Sequence, residues 1–145
     1  MVLHQGNKSI EFTIVNYQYP EKKPSNEGLD YDANWLMCEV KYSDAEANET
    51  YKDACLLTDE LADMAEELSK ILGGFEYGYI SDFVEPYLKV AAARAGEKIM
   101  IIFQFVYDTT DGIWKDRKIT ALLSKEEAVE IVQALRKLMR KYRVR

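Results

Sequence analysis

The sequence predicts an α+β fold in which one antiparallel sheet of about six strands packs against two helices, in the order β-β-β-α-β-β-β-α. Three observations support this prediction. Apolar and polar residues alternate with period two in several segments, which indicates half-buried strands. Two other segments carry apolar residues at helical spacing. The chain has 145 residues, of which 48% are hydrophobic, so we expect one domain, residues 1–145, around one core.

Three strands are predicted in the first half of the chain. The clearest is the segment 10–14, whose two isoleucines and one phenylalanine share a face. The residues before it, including His4, are expected to be frayed, and residues 21–31 form a long polar loop. The other two strands run from about Trp35 to Tyr42 and from about Thr50 to Leu56. The buried face of the second strand is predicted to carry Leu36, Cys38, Val40 and Tyr42.

A helix is predicted after the third strand. Thr58 is its predicted N-cap, and the carboxylates of Asp59 and Glu60 are favoured in the first turn by the helix dipole. Gly73 and Gly74 end the helix. Its predicted core stripe consists of Leu61, Met64, Leu68, Ile71 and Leu72.

Strands and a helix follow in the same order in the second half. Residues 83–88 lead into a strand that ends near Arg94. The next strand, Lys98–Asp108, is apolar on both faces and is predicted to be central and covered on both sides. Residues 108–112 include Asp111-Gly112 and are interpreted as a hairpin turn, because the ligand spacing of a calcium loop is missing. A shorter strand then runs through Leu122.

The last helix is predicted to begin at Ser124. Ser124 and Glu127 have the spacing of a capping box, in which each side chain bonds the other residue's backbone N–H. The helix is predicted to bury Ala128, Ile131, Val132, Leu135, Leu138, Met139 and Tyr142.

Four further residues are interpreted as architectural. Asp32 and Asn34 suit a turn that enters the second strand, and Trp35 anchors that strand. Pro86 suits an edge strand or the first position of a strand, because proline has no backbone N–H to give to a ladder.

The two cysteines are predicted to be free thiols in the core of a protein in a reducing compartment. A hairpin that turns near residues 46 and 47 would place Cys38 opposite Cys55, so a disulfide on oxidation is the alternative.

Side chains that carry out catalysis are scarce. His4 is the single histidine, and no segment resembles a nucleophile elbow or a low-pKa cysteine site. Two cysteines and one histidine provide neither the number nor the spacing of zinc ligands. We therefore expect a protein that is not an enzyme and has no metal and no cofactor. The sequence has no long apolar run and no basic leader, which predicts no membrane span and a cytoplasmic location.

Charge is distributed unevenly along the chain. The formal net charge is −6, and residues 27–67 hold thirteen Asp or Glu against two lysines. An acidic surface repels nucleic acid and attracts basic proteins. The sequence therefore predicts a basic protein partner and no nucleic acid, although a solvated surface that keeps the protein soluble is the simpler explanation of the same charges.

Four segments together resemble one family. They are Tyr17-Gln18-Tyr19-Pro20, Tyr31-Asp32-Ala33-Asn34-Trp35-Leu36, Leu56-Leu57-Thr58-Asp59-Glu60-Leu61 and Phe83-Val84-Glu85-Pro86-Tyr87-Leu88. With these segments, over nearly its full length, the chain resembles the WapI-type immunity proteins, which are small cytoplasmic bacterial proteins encoded beside contact-dependent toxins. The resemblance implies an antitoxin that binds and blocks the toxic domain of a cognate toxin, often an RNA-cleaving domain.

The resemblance does not identify the surface that would bind a toxin. We expect it to include acidic side chains around the hairpin and on the first helix, with ordinary surface charge as the alternative for each. These residues are Asp44, Glu46, Glu49 and Asp53 of the hairpin and Asp63, Glu66 and Glu67 of the helix. The expected oligomeric state is a monomer or a weak dimer. The alternative function is a small-ligand-binding or regulatory domain, which a deep apolar pocket with convergent polar groups would favour.

Overall fold

The computed structural model describes residues 1–24, 26–28, 30–108 and 111–145. The remaining parts of the predicted loop 21–31 and of the predicted turn 108–112 lie outside the described residues. The strands are β1 Val2–Gln5, β2 Lys8–Tyr17, β3 Trp35–Ser43, β4 Asn48–Leu57, β5 Gly78–Ile80, β6 Leu88–Ala95, β7 Lys98–Asp108 and β8 Trp114–Leu123, and the helices are α1 Tyr31–Asn34, α2 Thr58–Gly73 and α3 Lys125–Lys141.

The strands form two antiparallel sheets of four strands, so the prediction of a single sheet of about six strands is wrong in this detail. Sheet A has the order β1-β2-β3-β4, and sheet B has the order β5-β6-β7-β8. The sheets meet where β1 lies beside β8. There the backbone N–H of Thr120 donates to Oε1 of Gln5 at 2.8 Å, so a side chain bridges the two strands.

Two of the eight strands were not predicted from the sequence. The segment Val2–Gln5 pairs with β2 across a tight turn in which Gly6 has a φ of 60°, a conformation that glycine adopts without strain. The N-terminal ammonium of Met1 also donates to the carbonyl of Phe12 at 2.8 Å. This segment is therefore an ordered strand and not a frayed terminus. β5 has three residues, too few to show an alternating pattern.

The start of α2 differs from the prediction in its contacts. The N-cap of α2 is Leu57 and not Thr58. The backbone N–H of Leu57 donates to Oε2 of Glu60 at 2.8 Å, while the hydroxyl of Thr58 donates to Oδ1 of Asn34 at 2.7 Å. A tertiary hydrogen bond has thus replaced the local cap expected at Thr58. Gly74 ends α2 with a φ of 83°, as predicted.

The capping box of α3 is confirmed. The backbone N–H of Glu127 donates to Oγ of Ser124 at 3.1 Å, and the backbone N–H of Ser124 donates to Oε2 of Glu127 at 2.7 Å. Pro86 lies in a turn, two residues before β6 begins. The prediction that it occupies a position within a strand is therefore wrong.

Sheet B has one buried face and one open face. On β7, the residues from Ile99 to Tyr107 at odd positions are buried, whereas Met100 and Ile102 on the opposite side are only half-buried. β7 is internal to the sheet, as expected, but the prediction that both of its faces are covered is wrong. We call the side of Met100 and Ile102 the outer face of sheet B.

The two cysteines are both buried and free, as predicted, but they do not lie directly opposite each other. Cys38 faces Asp53 across the β3–β4 ladder, because the register shifts at a bulge between Leu36 and Met37. The neighbouring thiol of Cys55, and then burial, raise the pKa of Cys38. The thiols are therefore neighbours within the core.

One core joins both sheets to α2 and α3. The rings of Phe12 on sheet A and Phe103 on sheet B, both fully buried, lie 5.7 Å apart between centroids. Helices α2 and α3 pack against each other. Their predicted core stripes are buried, with Leu72, Leu138 and Met139 only partly so.

Candidate acidic groove and its surroundings

A cleft of about 430 Å³ lies between α2 and the segment that contains β5. Five carboxylates and one lysine line it, together with two aromatic rings and an isoleucine. The lining residues are Glu60, Asp63, Glu66, Glu67, Lys70, Tyr79, Ile80, Asp82 and Phe83. We call this cleft the acidic groove.

Helix geometry explains why the carboxylates converge. Residues three and four positions apart on a helix lie on one face, so Glu60, Asp63 and Glu67 follow one another along α2. Lys70 continues this row and forms ion pairs with Glu66 and Glu67, with Nζ–O distances of 3.1 and 2.7 Å. The groove is left with more negative than positive charge.

Glu60 holds the two walls of the groove together. Its Oε1 accepts a hydrogen bond from the backbone N–H of Val84 at 2.6 Å, while Oε2 accepts from Leu57 at the start of α2. The side chain is nearly buried, and burial raises the pKa of its carboxyl against the opposing effect of these two hydrogen bonds. Glu60 is thus a positioning residue of the groove.

Aromatic side chains lie in the groove and in the segment between α2 and β5. Burial, and then the negative charges of Asp63 and Glu67, raise the pKa of Tyr79 to about 12, so this side chain is a neutral phenol. Phe75 and Tyr77 precede it and are 83% and 87% exposed. The segment between α2 and β5 therefore carries aromatic side chains that stand in solvent, which is typical of a protein-binding surface.

The structure divides the seven predicted partner-binding residues between two places. Asp63, Glu66 and Glu67 line the acidic groove. Asp44, Glu46, Glu49 and Asp53 lie on or beside the β3–β4 hairpin.

Two of the hairpin carboxylates stabilise the hairpin itself. Oδ1 of Asp44 accepts hydrogen bonds from the backbone N–H groups of Glu46 and Ala47 at 2.8 and 2.7 Å. Asp53 accepts from the hydroxyl of Tyr51 at 2.7 Å and from the backbone of Ala54 at 2.8 Å. Glu46 is exposed at the tip.

Glu49 belongs to an ion cluster that joins the two sheets. Its carboxylate accepts from Lys115 Nζ at 2.8 Å and from Arg117 Nη2 at 2.8 Å, and also from the hydroxyl of Tyr107. These groups, the guanidinium of Arg117 foremost, lower the pKa of Glu49 to about 2. The guanidinium also lies over the ring of Tyr42, 4.7 Å from its centroid. The charge of Glu49 is therefore neutralised within the molecule.

Asn34 is the centre of a buried hydrogen-bond network. Its Nδ2 donates to the carbonyls of Asp30 and Arg145, each at 2.8 Å. Its Oδ1 accepts from the hydroxyl of Thr58 and from the backbone N–H of Arg145, each at 2.7 Å. The turn predicted at this position is the single helical turn α1, and Asn34 ties it to α2 and to the chain beyond α3.

The neighbours of Asn34 in the sequence have simpler contacts. Asp32 is exposed and forms an ion pair with Lys22 at 2.7 Å. Trp35 is half-buried at the start of β3, and its backbone carbonyl accepts from Gln18 at 2.8 Å. These contacts hold the start of β3 in place and leave the groove to other residues.

The sequence did not single out the aromatic side chains that line the acidic groove. Tyr79 and Phe83 meet α2 only because β5 pairs with β6, a pairing that three residues cannot reveal. The one available signal was the excess of tyrosine, ten in 145 residues, because tyrosine is enriched at interfaces.

A cleft of about 560 Å³ lies at the other end of α2. Most of its lining is charged or polar, including Arg94, Glu97, Lys98, Lys125 and Glu126. Small-molecule sites are instead mostly apolar with a few placed polar groups, so this cleft does not favour the ligand-binding alternative. Among the residues that the structure describes, no cluster of three or more His, Cys, Asp or Glu side chains could hold a metal ion.

No helix in the described ranges has the length and apolar character needed to cross a membrane.

The chain belongs to the WapI-like immunity protein family, whose family model, described as "Immunity protein WapI-like family", matches residues 1–143. Membership suggests an immunity function and implies a cognate toxin as the binding partner. No curated protein matches the chain.

Proposed function

We propose that this protein acts in the cytoplasm as an antitoxin that binds its cognate toxin domain in a stoichiometric complex and blocks it. Membership of the immunity protein family over residues 1–143 carries the proposal. The toxin domain is a basic, nuclease-like protein, and the complex covers its substrate-binding groove without any reaction catalysed by the antitoxin.

The acidic groove supports the proposal through its charge. A nuclease binds the phosphates of its substrate with basic side chains, and the groove presents carboxylates of Asp63, Glu66 and Asp82 that could pair with those same side chains. Complementary charge accelerates the encounter of two proteins and guides their orientation.

The exposed aromatic side chains between α2 and β5 support the proposal through burial. Exposed aromatic side chains such as Tyr77 and Phe75 become anchors when a partner covers them, because they bring a large rigid area at low entropic cost. Buried anchors slow dissociation, which is the step that sets most differences in affinity between related complexes. Glu46, exposed at the tip of the β3–β4 hairpin, is a second acidic contact that a large toxin domain could make at the same time.

The test is to co-express the protein with the toxin domain encoded beside it, and to measure both complex formation and the survival of toxin-expressing cells. We expect a one-to-one complex that survives purification and rescues growth. Absence of a complex at micromolar concentrations together with absence of rescue would contradict the proposal.

Charge-reversal variants then test the groove. Asp63→Lys combined with Glu66→Lys is expected to weaken binding at least tenfold, since both side chains are exposed on α2 and their reversal opposes a basic partner. Glu130→Lys on the exposed side of α3 is the matched control. Glu46→Lys distinguishes the hairpin surface from the groove. If only Glu46→Lys weakens binding, the hairpin and not the groove is the toxin-binding surface.

A further inference from the structure

The outer face of sheet B carries an apolar band that nothing in the described part of the chain covers. Ile80 on β5 and Leu122 on β8 stand at its two ends and are 82% and 54% exposed. The two alanines between them on β6, together with Met100 on β7, border an apolar cleft of about 380 Å³. The band crosses all four strands of the sheet.

The side chains of this band form two rows, each with small and large members. The register places Gly78, Ala93, Met100 and Leu122 in one row across the four strands. The adjacent row consists of Ile80, Ala91, Ile102 and Thr120. In both rows the β6 residue is an alanine and the β7 residue is large.

We propose that this band is the contact surface between two copies of the chain. The two copies are related by a two-fold axis that lies between their packed faces. The axis runs parallel to the strands, midway between β6 and β7. It therefore places β6 of one copy over β7 of the other, and β5 over β8. Each row of one copy then lies over the same row of the other copy, with the order of its residues reversed. Met100 lies over Ala93, Leu122 lies over Gly78, and each large side chain meets a small one.

Charge supports the same arrangement. The band contains no ionisable side chain, although the whole molecule has a net charge of −6, so two copies can approach here without opposing carboxylates.

The size of the band predicts a weak, reversible dimer. Four strands about 4.8 Å apart and two rows of residues make a band about 20 Å wide and about 13 Å long. Its area of about 260 Å² is smaller than the roughly 800 Å² per partner of a standard stable interface. The side of β5 that carries Tyr79 faces the acidic groove and stays open in this dimer. Ile80 borders both surfaces, but sedimentation of the protein alone measures dimerisation without the toxin. Either proposal can therefore fail without the other.

Sedimentation velocity across the micromolar range tests the proposal. Wild-type protein is expected to shift from monomer to dimer as its concentration rises. Ala93→Met places two large side chains against each other, and Met100→Ala leaves a gap, so each single change is expected to weaken the dimer at least fivefold. The double variant Ala93→Met with Met100→Ala exchanges the two sizes and is expected to restore it.

Lys8→Glu on sheet A, outside the band, is the control, and thermal melts establish that each variant is folded. A protein that stays monomeric at every concentration, or a dimer that the exchange of sizes does not affect, would overturn the proposal.

Discussion

At the scale of single residues, Asn34 shows how one polar side chain can organise distant segments. It is fully buried, with 0% of its surface exposed, and both ends of its amide are satisfied by hydrogen bonds. A buried polar group stabilises a fold only while its partners are present. Asn34 therefore links the stability of α1, of the start of α2 and of the segment after α3.

Replacing Asn34 is expected to be severe. Asn34→Ala leaves the hydroxyl of Thr58 and the backbone groups of Arg145 without their partner, which should lower the free energy of unfolding by about 3 kcal/mol. Urea denaturation measures this loss. Asn48→Ala, at the exposed start of β4, is the control and should change stability by less than about 0.5 kcal/mol. Equal effects of the two variants would contradict the role given to Asn34.

The lowered pKa of Glu49 predicts that the free energy of unfolding depends on pH. Its pKa is lowered to about 2 in the folded protein, below the ordinary value of 4.5 that it regains on unfolding. Its contribution, on the order of 2 kcal/mol, is therefore complete above about pH 4.5 and is lost as the pH falls toward 2. Glu49→Gln removes the titrating group. The unfolding free energy of the variant should fall less between pH 6 and pH 3 than that of the wild type.

Glu46→Gln is the matched control for Glu49→Gln. Glu46 is exposed at the tip of the same hairpin, and its removal should leave the pH dependence of stability unchanged. If Glu49→Gln and wild type lose stability in parallel as the pH falls, the ion cluster does not provide the predicted stabilisation.

At the scale of elements, α2 and α3 begin with the same carboxylate contact in different surroundings. Glu60 and Glu127 each accept a hydrogen bond from the backbone of their N-cap residue. Glu127 is exposed and makes a local contact, whereas Glu60 is nearly buried and also binds Val84. The contact of Glu127 fixes the start of α3. The contacts of Glu60 fix the start of α2 and also hold it against the segment that contains Val84.

This difference predicts unequal effects of the same substitution. Glu127→Ala should cost about 1 kcal/mol of unfolding free energy, as expected for a lost cap. Glu60→Ala should cost about 2 to 3 kcal/mol, because a second backbone donor is left unpaired. Amide hydrogen exchange at Val84 should accelerate in Glu60→Ala and stay unchanged in Glu127→Ala. An unchanged rate at Val84 in both variants would contradict the bridging role of Glu60.

Elements with a long regular pattern could be predicted from the sequence. β3 and β7 alternate over nine and eleven residues, and both long helices have clear stripes and end signals. β1 and β5 have four and three residues, so pairing with a neighbour and not sequence pattern defines them. The division into two sheets also depends on tertiary contacts, because nothing local shows that the ladder stops between β1 and β8.

The residues of the acidic groove could be predicted from the sequence to a similar degree. Three carboxylates on one helix face follow from helical spacing, and the structure brings Asp63, Glu66 and Glu67 to one groove. The neutralisation of Glu49 could not be foreseen, since Lys115 and Arg117 are more than sixty residues away in sequence. Tyr79 and Phe83 of the groove could not be foreseen either, because they reach α2 only through the pairing of β5 with β6.

At the scale of the whole molecule, the proposed toxin complex predicts a salt dependence. If the acidic groove attracts a basic partner, screening by salt weakens that attraction beyond about 10 Å at 0.1 M ionic strength. The association rate constant should fall at least tenfold from low to high salt, while the dissociation rate constant changes little. Stopped-flow mixing measures both. Association rates that do not depend on salt would remove electrostatic steering and leave inhibition itself untouched.

The junction of β1 with β8 has a consequence for how the chain could be divided. Each half of the chain, up to Gly74 and from Phe75 onward, holds a complete sheet and the long helix that follows it, yet the two halves share one core. A break between α2 and β5 would therefore cut no ladder. The two fragments, each incomplete alone, should reassemble when mixed, which would make this fold a natural candidate for fragment complementation.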